Sequence, residues 1–137
     1  MNSTPLADSS LADSSPADSS LADSSLAALS LRARQFAAER DWEQFHTPKN
    51  LATALVAEAG ELAAEFQWLT AAQSSAPTTE QLERIRAESA DVLIYLVRLA
   101  DKLGFDLLAA AAAKIDANEH RYPADKVRGS AKKYDQY

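Results

Sequence analysis

Glu58, Glu61, Glu88 and Asp91 are the residues whose types and spacing could do chemistry. Glu58 and Glu61 lie three apart in LATALVAEAGELAAEFQWL (51–69), which reads as one long helix. Residues three and four apart on a helix are neighbours, so these two carboxylates share a face and repel. Like charges at that spacing destabilise a helix by about 0.2–0.5 kcal/mol per pair. A solvated helix relieves such repulsion with interleaved lysines, yet no Lys or Arg occurs from Asn50 to Glu83. The pattern calls for a cation from outside the chain. Glu88 and Asp91 repeat the spacing in ESADVLIYLV (88–97), where Asp91 is followed by Val92, Leu93, Ile94 and Tyr95. A charge in apolar surroundings is usually paired or bound to metal. Arg84, one turn before Glu88, could neutralise it in part. Oxygen-only donors suit a hard divalent ion, Mg²⁺ or Mn²⁺.

Helices must position these acids. A first helix over 26–40 leads into the aromatic connection Trp42-Glu43-Gln44-Phe45-His46. There Trp42 and Phe45 either close the end of a core or form a stacking surface beside His46. Thr47 is a good N-cap and Pro48 suits the first position of the second helix. Leu51, Leu55, Leu62, Phe66 and Leu69 give that helix its apolar face. Gly60 costs about 1 kcal/mol relative to Ala in mid-helix, and its use is close approach of another backbone. Residues 70–78 read as a polar loop. Thr78 and Gln81 form a capping box for a third helix from Thr79 to Leu103, with Gly104 as its stop. The short loop makes the second and third helices antiparallel neighbours, so the four acids can converge. A fourth helix, Asp106 to Glu119, turns Leu107, Leu108, Ala111 and Ile115 to the core. It carries Lys114, Asn118 and Arg121 on another stripe, and Pro123 ends the element. The fold class is all-α, with about four helices.

At 137 residues, one domain is the default. Residues 1–25 repeat Ala-Asp-Ser-Ser with a period of five that fits neither helix nor strand, and they read as a disordered low-complexity leader. Residues 26–122 form the helical domain, and 123–137 a basic tail with Lys126, Arg128, Lys132 and Lys133. Such a tail is a solvated terminus or a source of phosphate donors. Four of the acids behind the net charge of −6 are Asp8, Asp13, Asp18 and Asp23 in the leader, so the rest is nearly balanced at −2. That argues against a broad nucleic-acid surface. Cysteine is absent, which excludes disulfides and thiolate metal sites. No apolar run reaches the ~20 residues of a membrane span, and the N-terminus lacks the charge and apolar core of a signal peptide. By exclusion the expectation is a cytoplasmic protein. No Gly-rich phosphate loop or Ser-His-Asp arrangement occurs, and His46 and His120 are the only histidines.

Glu58-Ala-Gly-Glu61 followed by Glu88-Ser-Ala-Asp91 resembles the EExxE and ExxD signatures of the MazG-like nucleotide pyrophosphohydrolases. The runs FAAERDWEQFH (36–46), LVAEAGELAAEFQW (55–68), SADVLIYLVRLA (89–100) and NEHRYP (118–123) are similar to the small dCTP pyrophosphatase branch. The likeness covers about residues 30–135. Two positions depart from it: Ala57 stands for the first Glu of EExxE, and Ala33 where eukaryotic members carry His.

The resemblance implies a helical bundle completed by oligomerisation, as a homodimer or homotetramer. It implies Mg²⁺-dependent cleavage of dCTP, a modified dCTP or a related deoxynucleoside triphosphate to monophosphate and pyrophosphate. Glu58, Glu61, Glu88 and Asp91 would be metal ligands, with Glu58 or Glu61 as catalytic base. Trp42, His46, Trp68 and Tyr95 would surround base and sugar, some from a neighbouring subunit. Lys114, Asn118, Arg121 and Tyr122 would meet the phosphates or hold the site together. Two alternatives stand beside this: a broader dNTP or dUTP pyrophosphatase, and a non-catalytic helical oligomer whose acids are a solvated face.

Overall fold

The computed structural model describes residues 25–133 and 135. The expected repeat leader thus lies outside the described residues except for Ser25, as do Tyr134, Gln136 and Tyr137 of the tail. The described elements are α1 (Leu26–Ala38), α2 (Pro48–Ala64), α3 (Ala71–Ser74), α4 (Thr79–Leu103), α5 (Leu107–Arg121) and α6 (Ala124–Val127). No strand occurs among the described residues. The fold is all-α, with four long helices at the expected places.

Local sequence explains most boundaries. Ser25 Oγ accepts from Ala28 N at 3.1 Å, Thr47 Oγ1 from Asn50 N at 3.2 Å, and Asp106 Oδ1 from Ala109 N at 3.0 Å. Thr78 and Gln81 form the reciprocal capping box. Each such cap is worth ~1 kcal/mol, because it satisfies an amide that the helix leaves free. Gly104 ends α4 at φ 71°, a left-handed conformation that glycine adopts without a Cβ clash. Asp41 takes the same region at φ 54° after α1. Around it Trp42 N donates to Ala37 O at 2.9 Å and Asp41 N to Ala38 O at 3.1 Å. This pattern satisfies the last carbonyls and turns the chain sharply.

Two expectations about the second helix need correcting. It ends at Ala64, not Leu69, and the chain tightens into short-range bonds such as Phe66 N to Ala63 O at 3.1 Å. No Gly or Pro marks that stop. The polar stretch 70–78 is also not all loop: Thr70 and Gln73 build a second capping box that opens the four-residue α3.

α4 is the organising element. α2 packs along it, and α1 packs on it as well. The buried residues are Ala37 of α1, Leu51 of α2, and Val97, Arg98 and Ala100 of α4. That is a thin core. Large apolar side chains are left in the open instead, with Trp68 86% exposed, Val56 71%, Leu108 63% and Ile115 59%. The expectation that Leu107, Leu108, Ala111 and Ile115 face the core fails within the chain: every α5 residue except Leu107 and Asn118 is exposed. The apolar stripe is there, but no described element covers it. Gly60 likewise has nothing within 4 Å of the place a Cβ would occupy, so no close backbone approach uses it within the chain. Among the described residues, no helix is long and apolar enough to cross a membrane.

Candidate active site

The antiparallel contact of α2 with α4 brings the acids together. Glu58, Glu88 and Asp91 each offer a carboxylate oxygen, and these oxygens lie within 4.8 Å of one another. Glu61 falls outside that triad, yet it remains close enough to be felt. Partial burial, then the charge of Glu61, then those of Asp91 and Glu88 push the Glu58 carboxyl above its ordinary range. Glu88 is raised in the same way, by burial first, then Glu61, Asp91 and Glu65. Mutual repulsion of this kind is what a bound cation would remove.

The expected neutralisation of Glu88 by Arg84 does not occur. Arg84 Nε instead donates to Glu65 at 2.9 Å, and its Nη1 to Glu80 at 3.1 Å. Glu65 caps α2, so Arg84 links the two helices and leaves Glu88 to the triad. Among the described residues, no ion pair reaches Glu58, Glu61, Glu88 or Asp91. Hard oxygen donors and close spacing, with no ion pair to these acids among the described residues, fit a divalent metal.

Beside the triad, Asp91 also lines an open cavity of about 510 Å³. Its wall includes Phe36, Trp42, His46, Ile94, Tyr95 and Arg98. Phe36 and Trp42 meet edge to face with ring centroids 5.7 Å apart, and Trp42 lies 6.4 Å from the His46 ring. Arg40 sits over the other partner, 3.7 Å from the Phe36 centroid. The reading of Trp42 and Phe45 as core closers is therefore corrected: Trp42 is 44% exposed and Phe45 59%. A cavity of this size with aromatic walls and the carboxylates of Glu39 and Asp91 in its lining suits a flat heterocycle next to a charged group.

The structure thus joins Trp42, His46 and Tyr95 in one wall and Glu58, Glu88 and Asp91 in one triad. Trp68, Lys114, Asn118, Arg121 and Tyr122 belong to neither. Phe36 and Arg98 were missed as site residues. Arg98 had a signal: like Asp91, it interrupts an apolar run, LIYLVRLA (93–100).

Arg98 belongs to a charge network at the cavity floor. It is 2% exposed and donates to Glu43 at 2.5 Å and to Asp101 at 2.6 Å. Lys102 also bonds Glu43, and Arg34 bonds Asp101. The hydrogen bond from Lys102, helped by the charge of Arg98, holds Glu43 below the ordinary carboxylate range, and the bond from Arg34 does the same for Asp101. Burial, then the charge of Arg98, holds His46 below the ordinary imidazole range. A depressed folded value means stability that is complete above the unfolded pKa and lost as pH falls through the folded one. Glu58 and Glu88 have the opposite sign, since protonation relieves the cost of partial burial first and their mutual repulsion second. Below about pH 5 the melting temperature of Glu43→Gln is accordingly expected to fall less steeply than that of the parent. Parallel thermal melts from neutral to acid pH check this, and identical slopes would remove Glu43 from the acid response.

The profile of the MazG-like family matches residues 54–136. dCTP pyrophosphatase 1 of Rattus norvegicus is 52% identical over 102 residues, which cover 73% of this chain and 60% of the rat protein. The protein of the same name from Homo sapiens is 51% identical over the same share of each. The chain therefore spans about 60% of the length of these relatives. A pyrophosphatase of Archaeoglobus fulgidus superposes with a TM-score of 0.60 at 32% identity, covering 82% of this chain and 98% of that one.

Proposed function

This chain belongs to the MazG-like family, and from that we propose that it is a nucleoside triphosphate pyrophosphohydrolase. Its substrate is dCTP, a modified dCTP or a closely related deoxynucleoside triphosphate, and its role is to keep the nucleotide pool clean. The observation that carries the reading is the unneutralised triad of Glu58, Glu88 and Asp91 at the edge of an aromatic cavity. A triphosphate is itself strongly negative, so it can lie beside this triad only with counter-charge between them.

Glu58, Glu88 and Asp91 would hold the metal, with Glu61 next to them. Bound there, Mg²⁺ or Mn²⁺ would cancel the acids, orient the phosphates and make water more acidic. Trp42, His46 and Tyr95 stack on and border the base. Glu61, close to the triad but outside it, takes a proton from the attacking water. The water oxygen bonds to the α-phosphorus while the bond from that phosphorus to its bridging oxygen breaks. Pyrophosphate leaves with the bonding electrons. Lys114, Asn118, Arg121 and Tyr122 stabilise the charge that builds on it. In the working site α5 and Trp68 lie across a subunit boundary, as a homodimer or homotetramer, which also covers the stripe that this chain leaves open.

A panel of nucleoside triphosphates scored by pyrophosphate release tests the reading. The expected result is Mg²⁺-dependent release, fastest with dCTP or a modified dCTP. Equal rates across all bases would replace the cytosine preference with a broad pyrophosphatase. No release from any of them, together with no heat on Mg²⁺ titration, would leave a helical oligomer without catalysis.

A further inference from the structure

Glu88, Asp91, Tyr95, Arg98 and Lys102 follow one another at steps of three and four, so they run as one stripe along α4. The stripe starts with two acids of the triad, passes the cavity wall, and ends on two cations that both hold Glu43. Glu43 is the residue after Trp42. In its turn Phe45 N and His46 N donate back to Trp42 O at 2.9 and 3.2 Å. That turn has partial apolar anchorage: Trp42 meets Phe36 of α1 edge to face, yet it is 44% exposed and Phe45 59%. Among the described residues its side-chain hydrogen bonds are Asn50 Nδ2 to Phe45 O at 2.9 Å, Gln44 Nε2 to Asp41 at 2.9 Å, and the grip of α4 on Glu43. The first two are local in sequence. The third is the one that fixes the turn against the helix bearing Asp91 and Tyr95.

We propose that Arg98 is a positioning residue for nucleotide binding: by gripping Glu43 it sets the Trp42–His46 turn against α4 and so fixes the shape of the base cavity. The proposal rests on the pyrophosphohydrolase reading above. Arginine suits the task because its planar fork serves two carboxylates at once, here Glu43 and Asp101. A lysine ammonium is a point charge and would hold such a pair less rigidly. The guanidinium itself is buried while Glu43 is partly exposed, so the contact is held from the helix side. Lys102 alone, on the more exposed side of Glu43, would leave the turn one flexible contact.

Steady-state kinetics on Arg98→Ala, Arg98→Lys and Glu43→Gln tests this, with Leu51→Ala as a control. Leu51 is buried on α2 and belongs to neither the cavity lining nor the Glu43 ion pairs, so its truncation lowers the melting temperature and reports what destabilisation alone does to KM. The expected result is a KM for dCTP raised about tenfold or more in Arg98→Ala and Glu43→Gln, with kcat and the Mg²⁺ midpoint within about twofold. Arg98→Lys should recover part of the loss. Glu43 is partly exposed, so Glu43→Gln keeps the test intact if Arg98→Ala does not fold. An unchanged KM in Glu43→Gln overturns the positioning role and leaves the enzyme reading standing. So does an equal rise in Leu51→Ala, which would make the effect plain destabilisation. A parent protein that releases no pyrophosphate from any triphosphate overturns the reading and the positioning role together.

Discussion

Glu58→Gln is expected to lower pyrophosphate release from dCTP by about a thousandfold or more, equivalent to about 4 kcal/mol of barrier. The substitution keeps shape and removes one charge from a triad whose oxygens lie within 4.8 Å. Its stability effect has the opposite direction. Without metal, Glu58 is raised by burial and by the charges of Glu61, Asp91 and Glu88, so neutralising it relieves repulsion. The metal-free variant should therefore melt no lower than the parent. The parent should gain stability on adding Mg²⁺, by about 2.7 kcal/mol at a hundred times its Kd, and the variant should lose most of that gain. Melts with and without Mg²⁺, beside the kinetic assay, give both readouts. Glu61→Gln separates the roles further. As a base outside the triad it should lose turnover while keeping most of the Mg²⁺ shift. Parent-like rates in Glu58→Gln at saturating Mg²⁺ would take Glu58 out of the mechanism.

The second large effect concerns α5. A chain bearing Asp at both Leu108 and Ile115 is expected to elute near 14.8 kDa, with its pyrophosphate release lost. Leu108 is 63% exposed and Ile115 59%, on a helix whose own chain barely covers it. Burying such a side chain contributes about 1.5–3 kcal/mol, so two charges placed there are severe for any surface that seats on the stripe. Lys114 and Asn118 lie on the same helix, and their proposed work on the phosphates needs α5 brought to a triad. Light scattering of parent and variant reads the mass directly. A parent that is already a monomer, or a variant that keeps both mass and rate, would end the view that the bundle is completed between subunits.

Much of this was legible from local pattern because local physics decides it. Caps such as Thr47, Thr78 and Asp106, and the stop at Gly104, satisfy amides and carbonyls within a few residues of themselves. The acid pairs were legible for the same reason, since spacing of three fixes a shared face before any packing. Illegible features were those settled by which group lies opposite. Arg84 had Glu80 and Glu88 equally near in sequence, and the approach of α2 offered it Glu65. Arg98 stood among apolar residues, and only the chain reversal at Asp41 brought Glu43 over it.

The sequence by itself determined four long helices, their capped starts, the stop at Gly104 and two carboxylate pairs, because hydrogen-bond satisfaction and helical periodicity act over one or two turns. The tertiary structure decided which three of the four acids close into a triad, which cations stay away from them, and which aromatics share a cavity. Those outcomes depend on the offset between α2, α4 and the 41–46 turn. That offset is set by packing and by part-buried ion pairs between residues more than fifty positions apart, such as Glu43 and Arg98.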